Sequence, residues 1–140
     1  MSMGSILLVE DDLHILKTTA DWLKEVGFTV TNASTLSLAK DALHRAHFDV
    51  VISDIAANTT GNRSLDCIRT NQLCKDVVEF SSKILKPNGV LVSKLFMGDD
   101  FIEVKELAKS RFKKVKFFKP EASRNESKET YLHCVTLKTL

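Results

Sequence analysis

The side chains able to do chemistry in this 140-residue chain stand where apolar runs end. Glu10, Asp11 and Asp12 follow Ile6-Leu7-Leu8-Val9, and Asp54 follows Phe48-Asp49-Val50-Val51-Ile52-Ser53. Ser93 and Lys94 leave Val90-Leu91-Val92, Lys119 leaves a basic run that starts at Lys114, and Glu129 precedes Thr130-Tyr131-Leu132. Carboxylates that converge on one rim repel unless a cation neutralises them. Hard oxygen ligands with room for water suit Mg²⁺, so Glu10, Asp11 and Asp54 form a candidate metal set. A plainer reading stands beside it, in which Asp11 or Asp12 only caps the next helix. Lys94 also has two readings, a desolvated amine that accepts a proton or the ion-pair partner of Asp54. No Gly-x-Gly follows the first run. Because nucleotide and adenosyl cofactors need close backbone approach at that turn, no cofactor-binding residue is assigned.

These residues need a scaffold that gathers them at one rim. Short β-rich runs alternate with helical patterns, which marks a parallel sheet with crossover helices. Strands are expected at 6–9, 28–31, 48–54, 89–96, 114–119 and 130–137. Helix 1 starts near Leu13 and stops at Gly27; helix 2 starts at Ser34 or Thr35 and carries Leu38, Ala39, Ala42, Leu43 and Ala46. A long helix covers 64–85 and ends at Pro87-Asn88-Gly89, and a fourth, capped by Asp99 or Asp100, carries Phe101, Val104, Ala108 and Phe112. Only residues 120–129 separate strands 5 and 6, too few for a parallel crossover with its helix, so strand 6 must run antiparallel. The expected fold is a single three-layer α/β/α domain with a mostly parallel six-stranded sheet. In such a sheet ligands meet the carboxyl ends of the parallel strands, where every residue named above falls.

Composition narrows the class. The apolar fraction of 44% and the length suit one core, and the longest early apolar run is far too short for a membrane span or signal segment. A cytoplasmic protein, and a monomer, is expected. Three cysteines cannot pair completely, and Cys67 and Cys74 sit about 10 Å apart along one helix, so buried thiols are expected. The four histidines, His14, His44, His47 and His133, make no zinc spacing. Met1-Ser2-Met3-Gly4-Ser5 has the composition of a cloning remnant. Charge is uneven: residues 1–55 carry 4 basic and 8 acidic side chains, residues 56–140 carry 16 and 10. The cluster Arg111, Lys113, Lys114, Lys116 and Lys119 would attract phosphates, or would protect an edge strand from pairing. With Phe117 and Phe118 alone as an aromatic platform, the expectation is that no RNA binds.

Two resemblances follow from these residues. The stretch 6–55, with Leu8-Val9-Glu10-Asp11-Asp12 and Asp49-Val50-Val51-Ile52-Ser53-Asp54, resembles the first half of a response-regulator receiver domain. That resemblance implies Mg²⁺ on Glu10 and Asp11 and phosphate acceptance by Asp54, with Ser93 and Lys94 or Lys119 standing in for the receiver's hydroxyl and lysine. The stretch 51–137 resembles FtsJ-type ribose 2′-O-methyltransferases, which use S-adenosylmethionine. The matching segments are Ser53-Asp54-Ile55-Ala56-Ala57-Asn58, Leu85-Lys86-Pro87-Asn88-Gly89, Lys94-Leu95-Phe96 and the run from Lys119 to Tyr131. This second resemblance implies catalytic roles for Asp54, Lys94 and Glu129, while Ala57 stands where that family has proline. Together they imply a chimera joined within 48–55, an engineered or recombined scaffold with no evolved activity and no S-adenosylmethionine binding, in which the receiver order 2-1-3 continues as 4-6-5 to give a sheet of order 2-1-3-4-6-5. The alternatives are a residual Mg²⁺-dependent phosphoacceptor at Asp54 and an RNA ribose methyltransferase.

Overall fold

The computed structural model describes residues 3–42, 47–55, 62–98, 100–119 and 129–138. Strand β1 (Ser5–Val9) is followed by α1 (Leu13–Val26), β2 (Thr29–Ala33), α2 (Leu36–Asp41) and β3 (Phe48–Ser53). Then come α3 (Arg63–Ile84), β4 (Leu85–Phe96), α4 (Phe101–Arg111), β5 (Phe112–Phe118) and β6 (Glu129–Leu137). One six-stranded sheet has the order β2-β1-β3-β4-β6-β5, with β6 antiparallel to both neighbours. The α/β class and the direction of β6 are those that the strand pattern and the short β5–β6 connection predict, and the order is the one the family resemblances imply. Calls that lie wholly or partly outside the described residues are Leu43 and Ala46 on helix 2, His44, Asp99 as a cap, the loop with Ala57, Asn58 and Gly61, and residues 120–128 of the β5–β6 connection, with most of the Lys119–Tyr131 run.

The local chemistry explains the boundaries. Asp12 accepts hydrogen bonds from the backbone N–H groups of His14 and Ile15, and Thr35 from that of Leu38, so both helices open on side-chain caps. Gly27 ends α1 at φ 120°, a conformation that disfavours any residue with a Cβ, and its N–H returns to Leu23 and Lys24. Ser5 already belongs to β1, where its N–H donates to Asp49, so the supposed remnant takes part in the sheet. Strand β4 departs from the expectation at its start. It begins directly after α3, and the register slips between the Phe48–Leu85 and Val50–Val90 pairs. Pro87, which has no N–H to give a ladder, sits in that irregular segment. Gly89 is there because a Cβ would stand 2.9 Å from the Lys86 carbonyl oxygen.

Among the described residues the two faces of the sheet are covered unequally. Leu7, Val9, Val51, Leu91, Leu95, Leu132 and Cys134 pack with α2, α3 and α4 into the main core. On the other face Leu16 and Ala20 of α1 pack against Leu8, Val30 and Ile52, over β1, β2 and β3. The alternate residues of β4 and β6 on that face, among them Val90, Val92, His133 and Val135, belong to neither core cluster. Beyond the slip at Phe48–Val50, strand β3 pairs in register with β1 and β4 up to the Val9–Ser53 and Ser53–Ser93 pairs.

Candidate functional site

The rim where β1, β3 and β4 end collects the charged groups. Lys94 and Tyr131 are directly opposite in the β4–β6 ladder, and Glu129 lies two residues before Tyr131 on the same face. Lys94 Nζ is 3.1 Å from Asp54 Oδ1 and 3.9 Å from Glu129 Oε2. The Tyr131 hydroxyl donates to Asp54 Oδ1 at 2.9 Å and lies 3.4 Å from Glu129 Oε1. Its ring stacks on Phe118, with centroids 5.6 Å apart. Burial and the two carboxylates push the Tyr131 phenol far above its ordinary range, so it serves as a hydrogen-bond donor. The sequence reading brings Asp54, Lys94 and Glu129 to one place, and the structure puts them in contact. It missed Tyr131, whose signal is register: β6 antiparallel to β4 puts a tyrosine opposite the lysine.

Glu10 lies beside this group at the end of β1. It is 5% exposed, and its Oε2 has no hydrogen-bond partner among the described residues. Burial first, then the neighbouring Asp54 and Asp11 carboxylates, raise its pKa to about 7; the Asp12 N–H and Lys94 oppose that shift. Asp11 and Asp12 are exposed, and Asp12 spends its carboxylate on the α1 cap. Among the described residues no group of three acidic, histidine or cysteine side chains is placed to hold a metal ion. The Mg²⁺ set of Glu10, Asp11 and Asp54 is therefore not supported; Asp54 is engaged by Lys94 and Tyr131 instead. Ser93 is buried on the core face beside the Cys74 thiol, away from Lys94 Nζ, and does not supply a hydroxyl to the rim. Lys119 lies just beyond β5 and is exposed.

The end of β4 is held from the core side. Asn71 of α3, fully buried, donates to the Phe96 carbonyl and to Asp100 and accepts from the Phe96 N–H at 2.7 Å. Asp100 therefore serves this asparagine and makes no side-chain cap to α4. All three cysteines are free and buried, as their number and spacing suggest.

Residues 12–137 match the family model of the FtsJ-like methyltransferases. The chain belongs to that family. The match runs through α1, β2 and α2 as well as the later elements, so the FtsJ-like family covers both halves, and the receiver and chimera readings are overturned. A hydrophobic strand ending in carboxylates is common to open α/β sheets, which is why 6–55 looked receiver-like. The ribosomal RNA large subunit methyltransferase E of Pelagibacter ubique is 45% identical over 97 residues, 69% of this chain and 48% of that protein. The enzyme of the same name from Rickettsia akari is 47% identical over 90 residues, 64% of this chain and 40% of that protein. This chain thus spans about half the length of the curated relatives it matches. The crystal structure of a ribosomal RNA methyltransferase from Plasmodium falciparum superposes with a TM-score of 0.71 at 17% identity, covering 98% of this chain and 88% of that one. That likeness shows the Rossmann-like methyltransferase fold. With relatives named for ribosomal RNA, the expectation of no RNA partner is withdrawn, as is the expectation of a scaffold without evolved activity.

Whether the rim suits S-adenosylmethionine turns on its donor set. The turn after β1 is Glu10-Asp11-Asp12, without the Gly-x-Gly that a close backbone approach would use. S-adenosylmethionine, however, carries a sulfonium, an ammonium and a ribose diol besides its own carboxylate. An acceptor carboxylate is complementary to the ammonium and the diol, and the buried Glu10 Oε2 has no hydrogen-bond partner among the described residues. The residues fit the group, and the exclusion of S-adenosylmethionine falls.

Proposed function

We propose that this chain carries the site of an S-adenosylmethionine-dependent RNA ribose 2′-O-methyltransferase. The observation that carries the reading is Lys94 Nζ set between Asp54 and Glu129 at the carboxyl end of β4, in an FtsJ-like chain. Glu10 at the end of β1 would accept from the ammonium or ribose hydroxyls of S-adenosylmethionine, which would supply an electrophilic methyl group. The protein's own part is proton management and orientation. Lys94, ion-paired as an ammonium with Asp54 and Glu129 at rest, would first release a proton to solvent. Its neutral amine then takes the proton of the ribose 2′-hydroxyl as that oxygen bonds to the methyl carbon, the methyl–sulfur bond breaking to leave the thioether, and the two carboxylates stabilise the ammonium that re-forms. Tyr131 and Lys94 both engage Asp54 Oδ1, which fixes that carboxylate in one orientation. Lys94, with a side chain only 15% exposed, sits where water is largely excluded and electrostatic contacts are strong. An RNA substrate and three buried, unpaired thiols suit a cytoplasmic setting. Among the described residues no helix is long and apolar enough to cross a membrane.

The test uses the purified chain, radiolabelled S-adenosylmethionine and ribosomal RNA. The account expects label in RNA and one phosphodiester made resistant to alkali, because a 2′-O-methyl group removes the attacking hydroxyl. Label on a base, with every phosphodiester still alkali-labile, contradicts the ribose assignment.

A further inference from the structure

The two strands that carry Asp54 and Lys94 diverge just before those residues. Strand β3 pairs with β4 as far as Ser53–Ser93 and then stays with β1, through the bond from the Asp54 N–H to the Val9 carbonyl. Strand β4 runs on for Lys94, Leu95 and Phe96, which lie opposite Tyr131, Thr130 and Glu129 of β6. Among the described residues none of these three is paired with β3. The last rung of the β4–β6 ladder, Phe96–Glu129, thus stands where the sheet opens, and it carries one of the two carboxylates that meet Lys94.

Asn71 of α3 takes the place of the absent strand. Its side-chain amide is a peptide group in miniature: Oδ1 accepts from the Phe96 N–H at 2.7 Å, and Nδ2 donates to the Phe96 carbonyl at 2.8 Å. Those are the two kinds of bond that a neighbouring strand would supply. The other Nδ2 hydrogen goes to Asp100 Oδ1 at 2.7 Å, a charge-assisted bond that fixes which way the amide faces. Asn71 is fully buried, and an amide there is tolerated because both of its donors and its oxygen are used. An aliphatic side chain offers neither donor nor acceptor to Phe96. Aspartate has the shape without the donors, and it would face the Asp100 carboxylate.

We propose that Asn71 is a positioning residue for the group formed by Lys94, Asp54 and Glu129, acting through the backbone of Phe96 and itself oriented by Asp100. It works at one remove from the reacting atoms. What it sets is the place of the last β4–β6 rungs relative to β3, and with it the separations of 3.1 Å and 3.9 Å between Lys94 Nζ and the two carboxylates. Those separations span the opening between β3 and β4 on one side and the final rungs on the other, so a shift of the β4 end changes both together. Misplacing reacting groups by about 1 Å costs on the order of 100-fold in rate, which makes a core asparagine a lever on the chemistry. The inference rests on the methyltransferase reading for its effect on turnover, and on the hydrogen bonds alone for its effect on Lys94.

The experiment reads Lys94 without turnover. An amine 15% exposed and held by carboxylates acylates slowly, so a pulse of acetic anhydride and peptide mass spectrometry report whether its contacts are kept; Lys17, 80% exposed, is the internal standard. In Asn71→Asp, Lys94 should label about fivefold faster, the factor that corresponds to loss of one ion pair. Asn71→Asp combined with Asp100→Asn returns a donor to the pair and should bring labelling back to within about twofold of the parent. Val78→Ala, two turns further along α3 and also fully buried, should lower the unfolding midpoint and leave Lys94 labelling unchanged. Should Asn71→Asp not fold, Asp100→Ala takes its place; it frees the amide to turn and should raise labelling about twofold. With turnover, kcat in Asn71→Asp should fall about tenfold while KM for S-adenosylmethionine stays at the parent value. Lys94 labelling at the parent rate in the folded Asn71 or Asp100 variant overturns the proposal. So does an equal rise in Val78→Ala, or a double variant no closer to the parent than Asn71→Asp alone. The two readings fail separately. Methyl transfer by the parent with Lys94 labelling insensitive to Asn71 sinks the positioning role alone, while the expected labelling pattern in a chain that transfers no methyl group sinks the proposed function alone.

Discussion

Glu10 shows how one buried atom can link stability to binding. Its carboxyl titrates near 7 in the folded protein, above the ordinary value of 4.5. A carboxyl whose folded pKa is raised favours the folded state while protonated, and that contribution is lost as pH climbs from about 4.5 through 7. Wild-type protein should therefore lose on the order of 2 kcal/mol between pH 5 and pH 8 from this group. Glu10→Gln should flatten that slope and be the more stable of the two at pH 8, read from urea midpoints; parallel pH profiles for the two proteins would refute the assignment. Tyr131→Phe keeps the ring on Phe118 but removes the donor to Asp54, and should cost about 1 kcal/mol of stability. Turnover should fall several-fold in the same variant if the hydroxyl orients Asp54. The legibility of these residues differs for a physical reason. Asp54, Lys94 and Glu129 are charged groups at strand ends and stand out in the sequence. Tyr131 and Asn71 act through cross-strand register and burial, which a linear reading of polar residues does not reveal.

At the scale of elements, the antiparallel β6 is the device that completes the rim. It brings Glu129 and Tyr131 from the end of the chain to the carboxyl end of β4, and the short connection that forces its direction is visible in the sequence. The alternation of strands and helices gives the α/β class, while the order 2-1-3-4-6-5 comes from the family resemblances and holds in the sheet. The start of β4 was not legible, because Pro-Asn-Gly is a turn signal and only the Phe48–Leu85 pair shows the ladder reaching past it. Asn71 is the pin between α3 and the β4 end. Replacing it by leucine leaves the Phe96 N–H and carbonyl without the partners they now have. Asn71→Leu should lower stability by about 2–3 kcal/mol, as seen in denaturant unfolding, and should reduce methyl transfer by more than the loss of folded protein accounts for. A variant as stable as the parent would show that β4 ends correctly without the clamp.

Over the whole molecule the uneven charge takes a different meaning from a boundary between two ancestries. Acidic groups mark the ends of β1 and β3, basic groups mark the β5 edge, and both belong to one continuous sheet in one FtsJ-like chain. The acidic rim suits a cationic methyl donor, and the basic edge suits a polyanionic acceptor. The receiver resemblance failed because its evidence, an acidic turn after one buried strand and an aspartate after another, is what an open α/β sheet places at its ligand-binding rim whatever the ligand. The most direct measurement is methyl transfer from labelled S-adenosylmethionine to the ribose of RNA, by the parent chain and by Lys94→Ala at matched folded concentrations. The account predicts alkali-resistant 2′-O-methylation by the parent and at least a 100-fold lower kcat for Lys94→Ala, with S-adenosylmethionine affinity by calorimetry within a few-fold of the parent. Undiminished transfer in the Lys94 variant, or a parent chain that neither binds the cofactor nor methylates RNA, would contradict it.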